Sequence, residues 1–350
     1  MTMHQDSISS PKITNGPGHS TPYACYLHAM AWVLRRAVAY MTGSGELFDK
    51  LTTVTTPGLG EGRVNISVCI PRLAGTTQSL HPLVLVAEGG GFILGQPSDG
   101  EHIDRSLCDK VGAVIISVNY AKAPRYPYPH ALLQLYEVLK WALSPTAKEA
   151  LNVTIDPSRV AIMGNSAGGN LTASLSLLLS FTSGPCAEFR SALPSNFHQV
   201  LQVLIYPSVD LNRSYDERLG DCDQETQASS LPSWAATTME ASYLPPYIDK
   251  SQVFVSPLMA EGSLLRSLQP PSAIVMVAGK DCLKLEAEKY VENLKMAGVS
   301  VTKHKYPAAI HGFSHYKENN KGFRKEDVED CWEQIARALQ VSFCTDKASA

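Results

Sequence analysis

The 350-residue chain has eight cysteines but no CxxC pair, and it lacks any run of basic residues. No uninterrupted apolar stretch approaches the ~18–20 residues of a membrane span. Each absence removes a class. Cys25, Cys69, Cys108, Cys186, Cys222, Cys282, Cys331 and Cys344 are scattered, which argues for buried thiols rather than a disulfide framework or a zinc site. A formal net charge of -3 argues against nucleic acid as the main partner. Neither G-x-G-x-x-G nor a P-loop Gly-Lys-Ser/Thr occurs, so phosphate cradling is disfavoured. The polar start, residues 1–20, has neither the basic nor the apolar part of a signal peptide. A cytoplasmic protein without a membrane span is the expectation. A hydrophobic fraction of 44% excludes a disordered chain, and no repeat is visible.

What is present is an alternation. The β-branched runs Val64–Pro71, Leu83–Ala87, Ala113–Val118, Val160–Met163, Val200–Tyr206, Ala273–Val277 and Val301–Tyr306 read as strands. Helical spacing appears over Tyr23–Tyr40, Ala131–Leu143, Ala167–Phe181, Leu283–Ala297 and Glu326–Val341. Short apolar strands separated by helices imply a mainly parallel sheet covered on both faces. Residues 1–20 read as a disordered leader and 21–50 as an N-terminal cap helix. Residues 51–345 read as the main domain, with 208–250 inserted as a further part of the cap.

The sharpest local signal is Gly164-Asn165-Ser166-Ala167-Gly168, entered from an apolar strand and followed at once by a helical pattern. Such a turn needs glycines where a Cβ would clash, and it lifts a serine hydroxyl above the sheet. A serine hydroxyl is a poor nucleophile until a base takes its proton and a third group orients that base. Asp281 follows the strand Ala273–Val277, and His311 follows the strand Val301–Tyr306. Ser166, Asp281 and His311 are therefore the candidate nucleophile, orienting acid and base, in α/β-hydrolase order. Glu286 and Asp210 are reserve acids and His315 a reserve base; His102 and His304 read as surface or supporting residues. Glu88-Gly89-Gly90-Gly91-Phe92 follows another strand, and the N–H groups of Gly89, Gly90 and Ala167 are the candidate oxyanion hole.

From Leu83 to Phe313 the chain resembles the hormone-sensitive-lipase-like carboxylesterase family of α/β hydrolases. The resemblance rests on Gly89–Phe92, Asn119–Pro124, Tyr126–Ala131, Asp156–Val160 with GNSAGGN, Tyr206-Pro207, Ser256–Leu258, Gly279–Asp281 and His311–Phe313. It implies an α/β-hydrolase fold, a mainly parallel sheet of about eight strands under a helical cap. It also implies hydrolysis of small or medium esters without a cofactor or metal, and it makes a homodimer an expectation. Glu88, Phe92 and Tyr206 are the substrate-binding candidates, with Ile93 and Leu94 beside them.

The family's oxyanion motif normally begins with histidine, whereas this chain has Glu88. An ionised carboxylate about 8 Å from a developing oxyanion costs about 2 kcal/mol at an effective dielectric of about 20. Glu88 could be neutral and act as a donor, or point away from the site altogether. It motivates a second reading, in which the same triad serves an elimination, dehydration or cyclisation in secondary metabolism. Lys122 and Arg125 also depart from the family pattern, as either recognition groups for an acidic substrate or solvated surface. Leu285 stands where an Asp is common. A non-catalytic receptor is the third reading, and the intact Ser166, Asp281 and His311 set argues against it.

Overall fold

A computed structural model of the chain describes residues 4–39, 45–72 and 80–344. Eight strands form one sheet in the order β1-β2-β4-β3-β5-β6-β7-β8. These are β1 Lys50–Thr55, β2 Arg63–Cys69, β3 Leu80–Ala87, β4 Val114–Asn119, β5 Thr154–Asn165, β6 Gln199–Ile205, β7 Ala273–Ala278 and β8 Val301–Tyr306. The β1–β2 and β2–β4 pairs are antiparallel, and every later pair is parallel. An α/β-hydrolase sheet results.

Alternation along the central strands divides the core in two. Leu83, Leu85 and Ala87 pack on one face with α3 (His130–Ala142), α5 (Ala167–Leu178) and α11 (Lys284–Met296). Val84 and Val86 pack on the other with α2 (Glu101–Val111) and α12 (Lys325–Cys344). The remaining helices are α1 (Thr21–Ala39), α4 (Pro145–Leu151), α6 (Ala187–Ser191), α7 (Tyr215–Gly220), α8 (Gln224–Ser229), α9 (Ser233–Tyr243) and α10 (Gly262–Leu268). Among the described residues no helix is long and apolar enough to cross a membrane.

Several expectations need correction. Residues 4–20 are not a disordered leader, because Gln5 accepts from the Thr182 and Ser183 amides and donates to the Ser267 carbonyl. Pro11 is buried, and His19 bonds the Ala241 carbonyl at 3.0 Å. Met1–Met3 lie outside the described residues. The helix expected over 21–50 ends at Ala39, and β1 begins at Lys50; Tyr40 lies outside the described residues. Cys25 and Cys344 are exposed, whereas the other six cysteines are buried as expected.

Two elements were not expected from the sequence. The edge strand β1 leaves Leu51 68% exposed. In α2 the buried residues are Leu107 and Cys108 together with Glu101, Asp104 and Arg105, so charged side chains interrupt its apolar face. Arg105 bonds Asp49 at 2.6 Å and the Ile70 carbonyl at 3.0 Å, and Ser117 donates to Asp104.

Residues 208–250 form α7, α8 and α9. The polar residues that interrupt the strand-helix rhythm are helix starts: Ser214 caps α7 in a capping box with Glu217, and Asp223 accepts from the Thr226 amide. Helix α9 also meets α1, where Tyr26 and Thr238 hydroxyls lie 3.4 Å apart. Arg218 on α7 is 3% exposed and joins two carboxylates: Glu286 of α11 at 2.8 Å and Glu240 of α9. Glu286 also accepts from the Val209 and Asp210 amides. That reserve acid therefore anchors the insertion to the main body. Removing Arg218 strands two buried carboxylates, so Arg218→Ala is expected to cost about 3–5 kcal/mol in urea unfolding at unchanged slope. A loss within about 0.5 kcal/mol would deny the anchor.

Candidate active site

Four loops at the carboxyl ends of strands converge. β5 ends in Asn165, and Ser166 turns the chain into α5 with φ 55° and ψ -119°. A side chain rarely adopts that conformation, and the turn is bolted on both sides. The Ser166 amide donates to the Ile205 carbonyl, while the Ser166 carbonyl accepts from the Asn170 and Ser208 amides. A Cβ on Gly164 would sit 2.3 Å from the Gly168 carbonyl oxygen, and one on Gly168 would sit 1.8 Å from that of Ala87. Glycine is required at both.

Ser166 Oγ lies 2.9 Å from His311 Nε2, and His311 Nδ1 lies 2.7 Å from Asp281 Oδ2. Asp281 Oδ1 accepts from the Leu283 amide. The His311 loop is fixed by Tyr316, whose hydroxyl donates to the His311 carbonyl at 3.0 Å. Burial works against a charged His311, but the Asp281 carboxylate outweighs it and holds the pKa above the usual histidine value. The three residues singled out from sequence form one hydrogen-bonded line.

The glycine run differs by one residue from expectation. The Gly89 amide donates to Asn165 Oδ1 at 2.9 Å, so it is committed to holding the loop. Gly91 borders the cavity with Phe92, Ser166 and Ala167. Among the described residues, the Gly90, Gly91 and Ala167 amides have no hydrogen-bond acceptor. The three consecutive glycines could have signalled Gly91, but they gave no way to choose which two face the cavity. A side chain at Gly91 is barred in any case, since a Cβ would approach Met239 Sδ to 2.2 Å.

Of the substrate-binding candidates, Phe92 does line the cavity, stacked on Tyr243 with ring centroids 3.7 Å apart. Glu88 and Tyr206 do not line it. Glu88, 4% exposed, turns its carboxylate to His315, with Oε2 3.3 Å from Nε2. Tyr206 is buried behind His311, with ring centroids 5.0 Å apart, and its hydroxyl meets Ser314 Oγ at 2.6 Å and His315 Nδ1 at 3.2 Å. His315 is thus no substitute base but the partner of Glu88, and sequence reasoning missed that pairing. The two residues lie 227 positions apart in a chain without an apolar or periodic cue to join them. The rest of the ≈ 60 Å³ cavity wall comes largely from residues 208–250, including Leu211, Tyr215, Leu231, Ala236 and Met239.

The profile of the alpha/beta hydrolase fold family matches residues 84–315, and the chain belongs to that family, in its hormone-sensitive-lipase-like branch. The carboxylesterase NlhH of Mycobacterium tuberculosis is 28% identical over 235 residues, 67% of each chain. An arylacetamide deacetylase of Oryctolagus cuniculus is 27% identical, covering 84% of this chain and 83% of its own length. The solved esterase of Pyrobaculum calidifontis superposes with a TM-score of 0.70 at 26% identity, over 92% of this chain and 98% of that one. This company does not favour the elimination, dehydration or cyclisation reading. Nor does Glu88, whose carboxylate is directed away from the cavity.

Burial opposes a charged His315, but Glu88, with Asp99 behind it, overrides that and raises its pKa above the usual value. The pair therefore adds stability that is complete below the ordinary histidine pKa and is lost as pH rises through the raised one. In urea unfolding from about pH 6 to about pH 9, His315→Gln should lose less stability with rising pH than the wild type. Parallel profiles would contradict the pairing.

Proposed function

We propose that this protein is a serine carboxylesterase acting on short-chain esters of small organic alcohols. The observation that carries the proposal is the continuous Ser166–His311–Asp281 line at 2.9 and 2.7 Å beside amides with no internal acceptor. His311 Nε2 takes the Ser166 proton as Oγ attacks the ester carbonyl. The oxyanion that forms is met by the Gly90, Gly91 and Ala167 amides, and the positive end of α5 points at the same place. Asp281 keeps the imidazole in the tautomer that offers Nε2 and stabilises the imidazolium, without itself taking the proton. His311 then returns the proton to the leaving alcohol. Water, activated by the same imidazole, attacks the acyl group on Ser166 and regenerates the hydroxyl.

The short acyl preference rests on the cavity. Its ≈ 60 Å³ and its wall of Leu211, Leu231, Met239 and Phe92 suit an acetyl to butyryl group rather than a long chain. Of the cavity's charged side chains, Arg218 and Glu240 are paired with each other and Asp281 with His311, which favours an uncharged ester.

The test is turnover of p-nitrophenyl esters from acetyl to decanoyl. The acetyl to butyryl esters are expected to have the highest kcat/KM, and Ser166→Ala is expected to lower kcat by about four orders of magnitude or more. Full turnover in Ser166→Ala would sink the assignment, and a decanoyl optimum would sink the chain-length claim.

A further inference from the structure

The segment that closes the ester cavity with Gly91 and Phe92 has a second face. There α1, the β1–β2 edge and the loops around Leu94 and Lys122 enclose a groove of ≈ 870 Å³. Its charged side chains are Arg35, Arg36, Arg63, Lys122 and Arg125 against one carboxylate, Glu61. Glu61 is already paired with Arg125 at 3.1 Å. Arg35 donates to the carbonyls of Ile93 at 2.7 Å and Ala123 at 2.6 Å. Lys122 Nζ donates to the Tyr120 carbonyl at 2.7 Å and to Asn119 Oδ1 at 3.3 Å, and it lies 3.5 Å from the Tyr120 ring centroid.

Arg35 and Lys122 are thus held side by side by dipoles and a ring, without a carboxylate in contact among the described residues. Burial lowers the pKa of both, and for Lys122 the neighbouring Arg35 charge adds to it. Asp99 and Glu88 act on Lys122 from behind the loop, but Asp99 caps the Gln96 amide and Glu88 holds His315. No counter-ion comes from the undescribed internal stretches either. Residues 40–44 read Tyr-Met-Thr-Gly-Ser and 73–79 read Leu-Ala-Gly-Thr-Thr-Gln-Ser, without an acidic side chain. The groove also presents apolar aromatic surface: Trp32 is 60% exposed, and Tyr126 borders the far side.

We propose that this groove is a binding site for a small organic anion, a carboxylate or phosphate on an aromatic or apolar body, separate from the ester cavity. Guanidinium forks suit the two oxygens of such a head group, and Lys122 supplies a point charge beside them. The aromatic side chains receive the body. The negative head group would favour the charged form of Lys122, and the occupant would rest on the outer side of the Gly90–Leu94 turn through Arg35. The two readings are independent, since binding here needs neither Ser166 nor turnover.

The full chain is titrated calorimetrically with benzoate and, separately, with phenyl phosphate, at constant ionic strength set by sodium chloride. Saturable binding of at least one probe is expected, and the tighter probe identifies the head group. Lys122→Met and Arg63→Gln are each expected to weaken it by about tenfold or more. Arg63 is exposed, so its variant carries the comparison even if Lys122→Met fails to fold. No saturable binding of either probe overturns the proposal, and so does an affinity unchanged in the folded variants, the result for an anion lodged in the Ser166 cavity.

Discussion

Everything at the carboxyl edge of the sheet depends on how closely α5 approaches the ends of β3 and β5. Ser166 sits in a left-handed conformation that costs about 1–3 kcal/mol in isolation. The chain tolerates it because three backbone hydrogen bonds close around that residue and because Gly164 and Gly168 leave no side chain in the way. The reward is positional. The helix starts at Ala167, beside the Gly89–Gly91 loop, and the Ser166 hydroxyl emerges 2.9 Å from His311. A wider turn would separate the proposed nucleophile from the amides proposed to receive the oxyanion.

Most of that machinery was legible because local chemistry dictates it. Gly164 and Gly168 flank the serine for steric reasons, Asp281 follows the fully buried apolar strand β7, and His311 follows the largely exposed β8, which opens on the β-branched Val301 and Thr302. The parallel strands were readable for the same reason: β3 from Leu83, β5 over Val160–Met163 and β7 are apolar on both faces. What stayed hidden was held together by polar contacts across long sequence separations. Helix α2 buries Glu101, Asp104 and Arg105 beside Leu107 and Cys108, so charged side chains obscure its apolar face, and the N-terminal segment is fastened through Gln5 without a hydrophobic period. The choice between Gly89 and Gly91 turned on Asn165, whose side chain engages one amide and leaves the next two free.

Glu88 shows how a departure from a family pattern can be absorbed. Two imidazole–carboxylate pairs stand close together, His311 with Asp281 and His315 with Glu88, and the buried Tyr206 touches both histidines. One pair faces the cavity. The other ties the residue before the glycine run to the loop that carries His311, so that the two loops share one anchor. Asp104, in the same buried region, is pushed well above the usual carboxylate range by burial first and by Glu88 second. The anionic character of position 88 is in this way used for architecture, and the cavity stays apolar enough for an ester.

The central claim is that Ser166 carries the acyl group between the two half-reactions. Acid quench during steady-state hydrolysis of p-nitrophenyl acetate, followed by mass spectrometry of the digested protein, tests it most directly. The account predicts an acetyl group on the peptide containing Ser166, absent from Asp281→Ala and His311→Ala proteins quenched at the same time. Steady hydrolysis with the acetyl group on another residue, or an acetylated Ser166 peptide at equal level in both variants, would contradict it.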